Sequence, residues 1–493
     1  MRAIRWLTLG CLSALTGALL TVPAVGKADA AVPYESYTYN YWMDDVKSPA
    51  PYLPVKTVEG QSLGLGAFNE PKDLVVDAAG DVYVLDSGNS RIVVLDRDLQ
   101  PKRTIDAFDN GGKQDRLNEP GGMALAPDGT VYVADTGNSR VVAIGAGGEL
   151  VRTIANPKSD LLGDGFKFIP LKLAVDRSNR VFVIAQGAFE GILQFDADGT
   201  FMGYVGTNKV SFNAEDYLWK TLSTKTQRDK MILFVPTEFS GISLDQRGFV
   251  YATNVDENSE HLVKRLNPSG EDTLKRLGYF SVSGDLRYSN TGVNGGPSNL
   301  VDVAVRDKGI YSVLDSRRGR VFTYDREGDL LYVFGQMGTQ AGTFQQPVAL
   351  DAFQDRIYVL DSGKARIHVF QETLFGSLVD RATGLHFDGK DQEAAAGWRQ
   401  VLRLNSNYDL AYIGLGKAQL RNQQYKEAMH SFKLGMNRTY YSAAYKRYRK
   451  AFVREHFEAG FASLLALLAA IVAYRLVRRR RMGKRGAHET GFH

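Results

Sequence analysis

The sequence predicts a mainly β fold, a six-bladed β-propeller. Two near-copies, DSGNSRIVVLD at 86–96 and DTGNSRVVAIG at 135–145, first reveal a repeat. Longer copies align on six prolines that follow one another at steps of 49 to 66 residues: Pro71, Pro120, Pro170, Pro236, Pro297 and Pro347. Each copy contains three short β-rich runs separated by turn residues, and a fourth run follows. Four strands in a repeat of this length are typical of a propeller blade.

The propeller is expected to occupy residues 55–378. The runs predicted as fourth strands are KRTIDAF (102–108), VRTIAN (151–156), FMGYVG (201–206), LKRLGYF (274–280) and LLYVFGQ (330–336). The sixth copy lacks such a run, while PVKTVEG (54–60) stands alone before the first copy. Because an open sheet edge is a liability, we expect this segment to close the ring as the missing strand.

An Asp and an Arg recur five residues apart in four of the copies. The pairs are Asp86 with Arg91, Asp135 with Arg140, Asp315 with Arg320, and Asp361 with Arg366. A catalytic group is normally present once, so a repeated pair predicts a structural strut. The Asp can cap the turn, and the Arg can reach the Asp or a neighbouring blade's carbonyls.

The pattern P-x-x-[LIMV]-x-[LV]-x-x-x-G-x-[VI]-Y-[VI]-x-D-[ST]-x-N-x-R-[IV] resembles the NHL-repeat family of six-bladed propellers over about 55–375. That family includes extracellular ligand-binding domains, RNA-binding modules and a few lyases, with gluconolactonase-like propellers as neighbours. The resemblance implies the fold, and it does not by itself specify a function. It suggests an accessory role beside a carbohydrate-uptake or envelope system in a bacterium.

The N-terminus has the three parts of a secretory signal peptide, predicted over 1–30. Arg2 and Arg5 precede the apolar WLTLGCLSALTGALLTVPAV, and Ala28-Asp29-Ala30 supplies a cleavage site. The single cysteine of the chain lies inside this segment. The mature chain would therefore have no disulfide and no thiolate nucleophile.

A membrane span is predicted at 457–477, followed by a basic cytoplasmic tail at 478–493. The flanking arginines favour a single-pass type I arrangement with the bulk of the chain extracellular. A buried hairpin helix is the alternative. The tail from Arg475 carries a charge of +6 and residues 1–30 carry +2, which leaves −3 of the total of +5 for the middle of the chain. That balance argues against nucleic acid as a partner.

Three segments outside the repeated strands invite their own interpretation. The aromatic, proline-containing N-terminal arm (31–54) is expected to be extended and packed on the side or bottom of the propeller, although its rings could also stack on sugars. Long insertions at 207–234 and 279–299 are expected to lie on one face of the propeller. Functional loops are also commonly found on such a face.

Helical periodicity replaces the strand pattern after the propeller, and a neck is predicted over 388–456. It resembles tetratricopeptide (TPR) repeats, with Trp398, Gly416, Ala428 and Phe432 as the packing positions. A stack this short is expected to lean on another part of the chain. A spacer is the first interpretation, and a groove for a membrane-protein partner is the second.

No catalytic residue and no metal ligand set is predicted. Candidate binding residues at the channel mouth are Glu70, Glu119, Asp73, Asp302 and Gln346. Two acids on adjacent blades could hold Ca²⁺ weakly. The first functional hypothesis is a non-catalytic module that binds a protein or carbohydrate ligand on the propeller face. The alternatives are a metal-dependent hydrolase or lyase, similar to gluconolactonase, with its site in the central channel, and a scaffold that recruits a membrane partner through the neck.

Overall fold

The structure is a computed structural model that describes residues 32–489, apart from 160, 163–165, 207–238, 256–258 and 260. Of residues 481–489 only the backbone is described. The predicted signal peptide and the insertion at 207–234 lie outside the described residues.

Most of the chain forms antiparallel sheets arranged as six blades around a channel. Three strands come first: β1 (Tyr37–Tyr39), β2 (Asp45–Lys47) and β3 (Tyr52–Glu59). Blade one contains β4 (Asp73–Val76), β5 (Val82–Asp86), β6 (Arg91–Leu95) and β7 (Pro101–Ile105). A small hairpin follows, with β8 (Phe108–Asn110) and β9 (Lys113–Asp115). Blade two contains β10 (Gly122–Leu125), β11 (Val131–Asp135), β12 (Arg140–Ile144) and β13 (Leu150–Ala155).

The remaining blades continue in chain order. Blade three contains β14 (Pro170–Val175), β15 (Val181–Ala185), β16 (Ile192–Phe195) and β17 (Phe201–Val205). Blade four contains β18 (Phe239–Leu244), β19 (Val250–Asn254) and β20 (Val263–Leu266). Blade five contains β21 (Leu300–Val305), β22 (Tyr311–Asp315), β23 (Arg320–Tyr324) and β24 (Leu330–Phe334). Blade six contains β25 (Pro347–Phe353), β26 (Arg356–Asp361) and β27 (Arg366–Glu372).

The ring closes where strand β3 joins blade six. Strand β3 pairs antiparallel with β27, from Glu59 opposite Arg366 to Tyr52 opposite Glu372. The predicted closing strand is therefore confirmed. Strand β3 thus supplies the fourth strand of blade six and joins the two ends of the propeller.

Blade four shows that one predicted strand was wrong. The run 274–280 is not a strand, and the described part of this blade has three strands. Arg276 explains the difference, because its Nη2 donates to the carbonyl of Val263 at 2.8 Å and also pairs with Asp272. A guanidinium thus covers part of the edge of β20 that a fourth strand would need.

The N-terminal arm lies on the outer edge of blade five. Strands β1 and β2 form a hairpin, and Tyr37 pairs with Val333 of β24, so the sheet of blade five has six strands. The Tyr37 and Tyr39 hydroxyls both donate to Asp285, which lies in the 279–299 insertion. The arm is therefore extended and packed on the side of the propeller, as predicted.

Five helices follow the propeller. They are α1 (Leu374–Phe387), α2 (Asp391–Leu404), α3 (Asp409–Arg421), α4 (Tyr425–Leu434) and α5 (Arg438–Glu489). Helix α1 begins almost directly after β27, capped by the Thr373 hydroxyl, which accepts from the Gly376 amide at 3.2 Å. The helical region therefore begins at Leu374, before the predicted neck and inside the predicted propeller range.

Propeller and neck share one hydrophobic core. Its buried members from blades five and six and from the neck include Tyr52, Tyr332, Phe334, Phe375, Val379, Trp398 and Tyr408. The Tyr408 hydroxyl donates to the Leu331 carbonyl of β24 at 2.8 Å. Arg306 of blade five pairs with Asp380 of α1 at 2.6 Å. These contacts fix the neck against blades five and six of the propeller.

Helix α5 is the membrane-span candidate. Its described stretch Arg438–Arg480 has a mean hydropathy of 2.0 in its most apolar window, and that window is wholly unburied. The helix is long and apolar enough to cross a bilayer, and it contains the predicted span at 457–477. It also includes the predicted end of the neck, so neck and span candidate form one unbroken helix.

Candidate functional site

Six residues, one from each blade, occupy the same register on the strands that line the channel. Each lies opposite the residue just before the end of the second strand of its blade. This channel ring consists of Asp73, Gly122, Lys172, Gly241, Asp302 and Ala349. Three of its members carry a charge, and two of these, Asp73 and Asp302, were predicted as binding residues.

Lys172 pairs with Asp73 across the channel. The Lys172 Nζ lies 2.7 Å from Asp73 Oδ1, and both side chains are largely buried. Burial opposes the charge of Lys172, but the carboxylates of Asp73 and Asp302 outweigh it and raise the pKa of the ammonium. Burial also raises the pKa of Asp302 to about 7, against the influence of Lys172. The ring therefore contains an internal ion pair with a second carboxyl beside it.

The channel carboxylates also bond to the neighbouring blades. Asp73 Oδ2 accepts from the Met123 amide of blade two, and Asp302 Oδ2 accepts from the Leu350 amide of blade six, each at 2.8 Å. Asp351 makes the same kind of bond from blade six to the Val76 amide of blade one, also at 2.8 Å. These buried hydrogen bonds hold adjacent inner strands together.

Two ring positions require glycine because the inner strands approach closely. A Cβ on Gly122 would lie 2.9 Å from the Lys172 Cα and 2.7 Å from the Leu171 carbonyl oxygen. A Cβ on Gly241 would lie 2.7 Å from the Asp302 Cα. The inner strands of blades two and three are therefore close together. The Lys172 side chain fills the space that a side chain at position 122 would need.

The other predicted binding residues lie on the rim. Glu70, Glu119 and Gln346 are exposed and immediately precede the proline of their blade. Glu70 and Glu119 both have a φ of 44°, which turns the chain sharply into the inner strand. The five predicted residues are thus split between an exposed rim and a buried ring.

These residues do not fit a divalent metal. Asp73 already accepts from the Lys172 ammonium and from backbone amides, so the place of a cation is taken by a side chain. Across the described residues, no group of three or more His, Cys, Asp and Glu is placed to hold a metal ion. The possible Ca²⁺ site stays a prediction that the geometry does not favour.

The repeated Asp pins the loop that leads into its own blade. In all four blades it accepts a backbone amide at 2.7 to 2.9 Å: Asn69 to Asp86, Asn118 to Asp135, Asn299 to Asp315, and Gln345 to Asp361. The contact lies within one blade. The Asp therefore ties the loop before the first strand to the end of the second strand, and in blades five and six it also accepts an amide of the following turn, Arg317 to Asp315 and Lys364 to Asp361.

The repeated Arg pairs with this Asp in only two blades. The Nε atoms of Arg91 and Arg140 lie 2.7 and 2.8 Å from Asp86 and Asp135. The predicted pairing is wrong in blades five and six, where Arg320 pairs with Asp285 and Arg366 pairs with Glu59. In these two blades the guanidinium pairs instead with an acid from outside the repeat. Asp315 and Asp361 still accept hydrogen bonds from backbone amides.

The predicted packing positions of the neck are all buried. A Cβ on Gly416 would lie 2.6 Å from Phe432, and Ala428 is buried in the same cluster. Trp398 stacks on Tyr408, with 6.3 Å between ring centroids. Helices α3 and α4 form an antiparallel hairpin here, and the TPR likeness itself stays a prediction.

Lys172 and the acids that receive the repeated Arg side chains were missed in the sequence. A signal for Lys172 existed, because it stands two residues after its blade proline, as Asp73 does. The acids Asp285 and Glu59 lie outside the repeated pattern, so alignment of the copies gives no sign of them. Asp115 lies five residues before its blade proline and could have been found by comparing the loops.

Comparison with known proteins agrees with this architecture. The sequence model of the NHL repeat matches residues 68–95 and 117–144, which are blades one and two. No curated protein matches the chain.

Solved structures give weak overall likenesses. Virginiamycin B lyase from Staphylococcus aureus is 10% identical with a TM-score of 0.40, covering 64% of this chain and 99% of that one. A streptogramin B lyase is 12% identical with a TM-score of 0.40, covering 70% and 96%. A gluconolactonase from Xanthomonas campestris is 11% identical with a TM-score of 0.38, covering 66% and 98%. Likenesses of this degree carry no inference about activity. The chain is an NHL-type six-bladed β-propeller followed by a helical region with one long apolar helix.

Proposed function

We propose that this protein is a membrane-anchored binding module. In this proposal the propeller lies outside a bacterial cell membrane and presents a face to a protein or carbohydrate ligand, beside an uptake or envelope system. Helix α5 is the single span of a type I protein whose signal peptide is removed.

The observation that carries the proposal is the rigid mounting of the propeller. The core shared with blades five and six extends as far as α3, and α3 packs on α4 and on the start of α5 in a second buried cluster. A flexible linker would let the propeller turn freely above the bilayer, whereas a shared core holds it in one orientation. Such mounting suits a module that must present one particular face.

The contacts of the neck indicate which face is free. Successive antiparallel strands place the turns of each blade at alternate ends, so the turns at 306–310 and 325–329 lie at the end opposite to Glu70 and Glu119. The neck docks at that end, where Lys417 pairs with Glu327 at 3.2 Å and Lys308 pairs with Asp388 at 2.9 Å. We call the opposite end, with the residues that precede the blade prolines, the top face.

The channel supports binding more than catalysis. Its central carboxylates are engaged by Lys172 and by amides of neighbouring blades, so they stabilise the ring. The predicted binding residues that remain exposed, Glu70, Glu119 and Gln346, lie on the top face. A ligand would meet these residues before it met the ion pair.

Site-specific photocrosslinking of the full-length chain in its native membrane tests the proposal. A photoreactive residue replaces Glu70 on the top face or, as the matched control, Asp98 in the turn at the other end of blade one. The proposal expects a discrete adduct from position 70 and none from position 98. Adducts from position 98 or from Lys433 of the neck, with none from position 70, would contradict it and favour the scaffold alternative.

A further inference from the structure

Four arginines of the repeat occupy one structural position, and three of them have their terminal nitrogens paired with an acid. Arg140 binds Asp115, Arg320 binds Asp285, and Arg366 binds Glu59. Arg91 of blade one is the exception. Its Nε pairs with Asp86, but its two Nη atoms have no partner among the described residues.

Blade two shows what an occupied position contains. The two Nη atoms of Arg140 donate to the two carboxylate oxygens of Asp115 at 2.8 and 3.0 Å, while Nε remains on Asp135. The bonds from Arg140 lower the pKa of Asp115 to about 2. A two-point contact of this kind is the preferred geometry between a guanidinium and a carboxylate.

Blade one has the same guanidinium without the carboxylate. Asp115 stands five residues before Pro120, and the residue five before Pro71 is Gly66. Gly66 has a φ of 74°, whereas Asp115 lies in strand β9, so the two loops differ in backbone conformation and Gly66 presents no side chain to Arg91. The distance from Arg91 Nε to Asp86, 2.7 Å, is close to the 2.8 Å of the corresponding Arg140 bond, so the two guanidinium groups are held alike.

A cavity of about 370 Å³ lies at this place on the top face. Gly66, Asn89, Ser90, Arg91, Asp106 and Arg116 contribute to its wall. Arg116 adds a second guanidinium, and Asp106 adds a carboxylate that can accept hydrogen bonds. The cavity therefore offers donors for an anion together with acceptors for hydroxyl groups.

We propose that this cavity binds the carboxylate of a small polyhydroxylated acid. The ligand carboxylate takes the position that Asp115 occupies beside Arg140 and bonds to both Nη atoms of Arg91. Ser90 and Asp106 face the hydroxyl groups of the ligand. This inference rests on the proposed binding function and names the class of ligand for one site on the top face.

The size and polarity of the wall favour a monosaccharide acid over a larger apolar acid. A cavity of about 370 Å³ is within the ordinary range for small-molecule sites. Five of the nine residues that line the cavity have side chains that form hydrogen bonds with hydroxyl or carboxylate groups: Asn89, Ser90, Arg91, Asp106 and Arg116. The neutral sugar of the same shape lacks the group that Arg91 recognises.

Isothermal titration of the full-length chain in detergent tests the site with three probes: D-glucuronate, D-glucose and inorganic phosphate. The inference expects binding of glucuronate at least about tenfold tighter than of glucose, since a lost bidentate charged contact changes affinity by that order. Equal binding of glucose would overturn the role of the carboxylate. Tighter binding of phosphate than of glucuronate would overturn the assignment to a sugar acid.

Two variants test the geometry independently. Arg91→Gln removes both the charge and the fork, and Arg91→Lys keeps the charge but lacks the two Nη donors. Arg91→Gln is expected to abolish glucuronate binding, and Arg91→Lys is expected to weaken it at least about tenfold, because a single ammonium cannot make the two-point contact. Arg366→Gln, whose guanidinium is already occupied by Glu59, is the control and should bind like the wild type. Unchanged glucuronate binding in Arg91→Gln would contradict the proposal.

Failure of this inference can be told apart from failure of the proposed function. If glucuronate does not bind the wild type but position 70 still gives a crosslinked adduct on cells, the top face binds something else and only the ligand class is wrong. If neither occurs, the binding function itself is contradicted.

Discussion

Lys172 of blade three reaches past blade two to Asp73 of blade one, with 2.7 Å between its Nζ and the Asp73 Oδ1. Blade two permits this contact because Gly122 stands at its ring position, against the Lys172 side chain. The pair therefore ties together two blades that are not neighbours. The charged residues at the centre of the propeller therefore stabilise the fold.

Replacement of this lysine should destabilise the propeller strongly. Lys172→Met leaves Asp73 and Asp302 buried near each other without a countercharge, and removal of one partner of a buried ion pair costs about 3 to 5 kcal/mol. We expect a clear fall in the thermal midpoint, which differential scanning calorimetry measures. The double variant Lys172→Met with Asp302→Asn should recover part of the loss.

Lys102 provides the matched control. It pairs with Asp81, but its side chain is 56% exposed, against 14% for Lys172. Surface pairs contribute at most about 1 kcal/mol, so Lys102→Met should hardly change the midpoint. Equal effects of the two substitutions would show that the channel pair carries no special weight.

The N-terminal arm should detach when Asp285 is replaced. This carboxylate accepts from Tyr37 and Tyr39 and pairs with Arg320 and Arg318, so one residue joins the arm, the insertion and blade five. Lys47 is exposed but lies in the ordered arm, so Asp285→Ala is expected to raise the rate at which trypsin cleaves after it. Limited proteolysis followed by mass spectrometry measures that rate. Asp44→Ala, which removes the exposed pair with Arg287, is the control, and an equal cleavage rate in both variants would contradict the assigned role.

Folded-state stability should fall as the pH rises above about 5. Burial raises the pKa of Asp325 to about 8 and the pKa of Glu372 to about 8, in each case aided by a nearby carboxylate. In the unfolded chain such groups ionise near pH 4, so between about pH 4 and 8 the folded state binds more protons. Ionisation of the buried carboxyls therefore lowers the free energy of unfolding as the pH rises. The decrease is complete only above about pH 8.

Asp325→Asn isolates this effect. The amide oxygen can still accept from the Glu327 and Asp329 amides, which donate to Asp325 at 2.8 and 2.9 Å. Thermal midpoints measured from pH 5 to pH 9 should decline less steeply than in the wild type. Asp96→Asn alters the same turn position in blade one and should keep the wild-type slope. A steeper decline in Asp325→Asn would contradict the assignment.

The neck should be sensitive to any side chain at position 416. Gly416→Val places atoms where Phe432 lies, 2.6 Å from an added Cβ, and overpacking of this kind costs about 1 to 3 kcal/mol. Because the neck shares its core with the propeller, we expect faster hydrogen exchange in α3 and α4 that extends to α2. Lys433→Ala, at an exposed position of α4, should show no such change. Exchange confined to α4 would show that the hairpin packs independently.

The sequence was sufficient for the parts of the fold that depend on local repetition. The prolines, turn glycines and alternating β runs recur, so the blades and the closing strand β3 could be predicted from the chain alone. The turn-capping role expected of the repeated Asp fits blades five and six, where Asp315 and Asp361 accept an amide of the following turn. In blades one and two, Asp86 and Asp135 make no such cap and bind the loop before the first strand. The fourth strand predicted for blade four was wrong, because the side chain of Arg276 covers part of the strand edge that it would need.

Contacts between distant parts of the chain could not be predicted in the same way. The Lys172 to Asp73 pair joins residues about one hundred positions apart in sequence, and only the closure of the ring brings them together. The partners of Arg320 and Arg366 lie in the insertion and in the closing strand, outside the repeat. Helix α1 was missed because it begins inside the range predicted for the propeller. Strand β27 ends at Glu372, and Thr373 directly caps the helix that follows.

The measurement that tests the central claim most directly is metal analysis of the full-length chain, purified in detergent without chelator, with thermal unfolding before and after EDTA. The channel acids are engaged by Lys172 and by backbone amides, so the account predicts no stoichiometric metal and the same thermal midpoint with and without EDTA. One equivalent of bound Ca²⁺ or Zn²⁺ whose removal lowers the midpoint would contradict the account and favour a metal-dependent hydrolase or lyase.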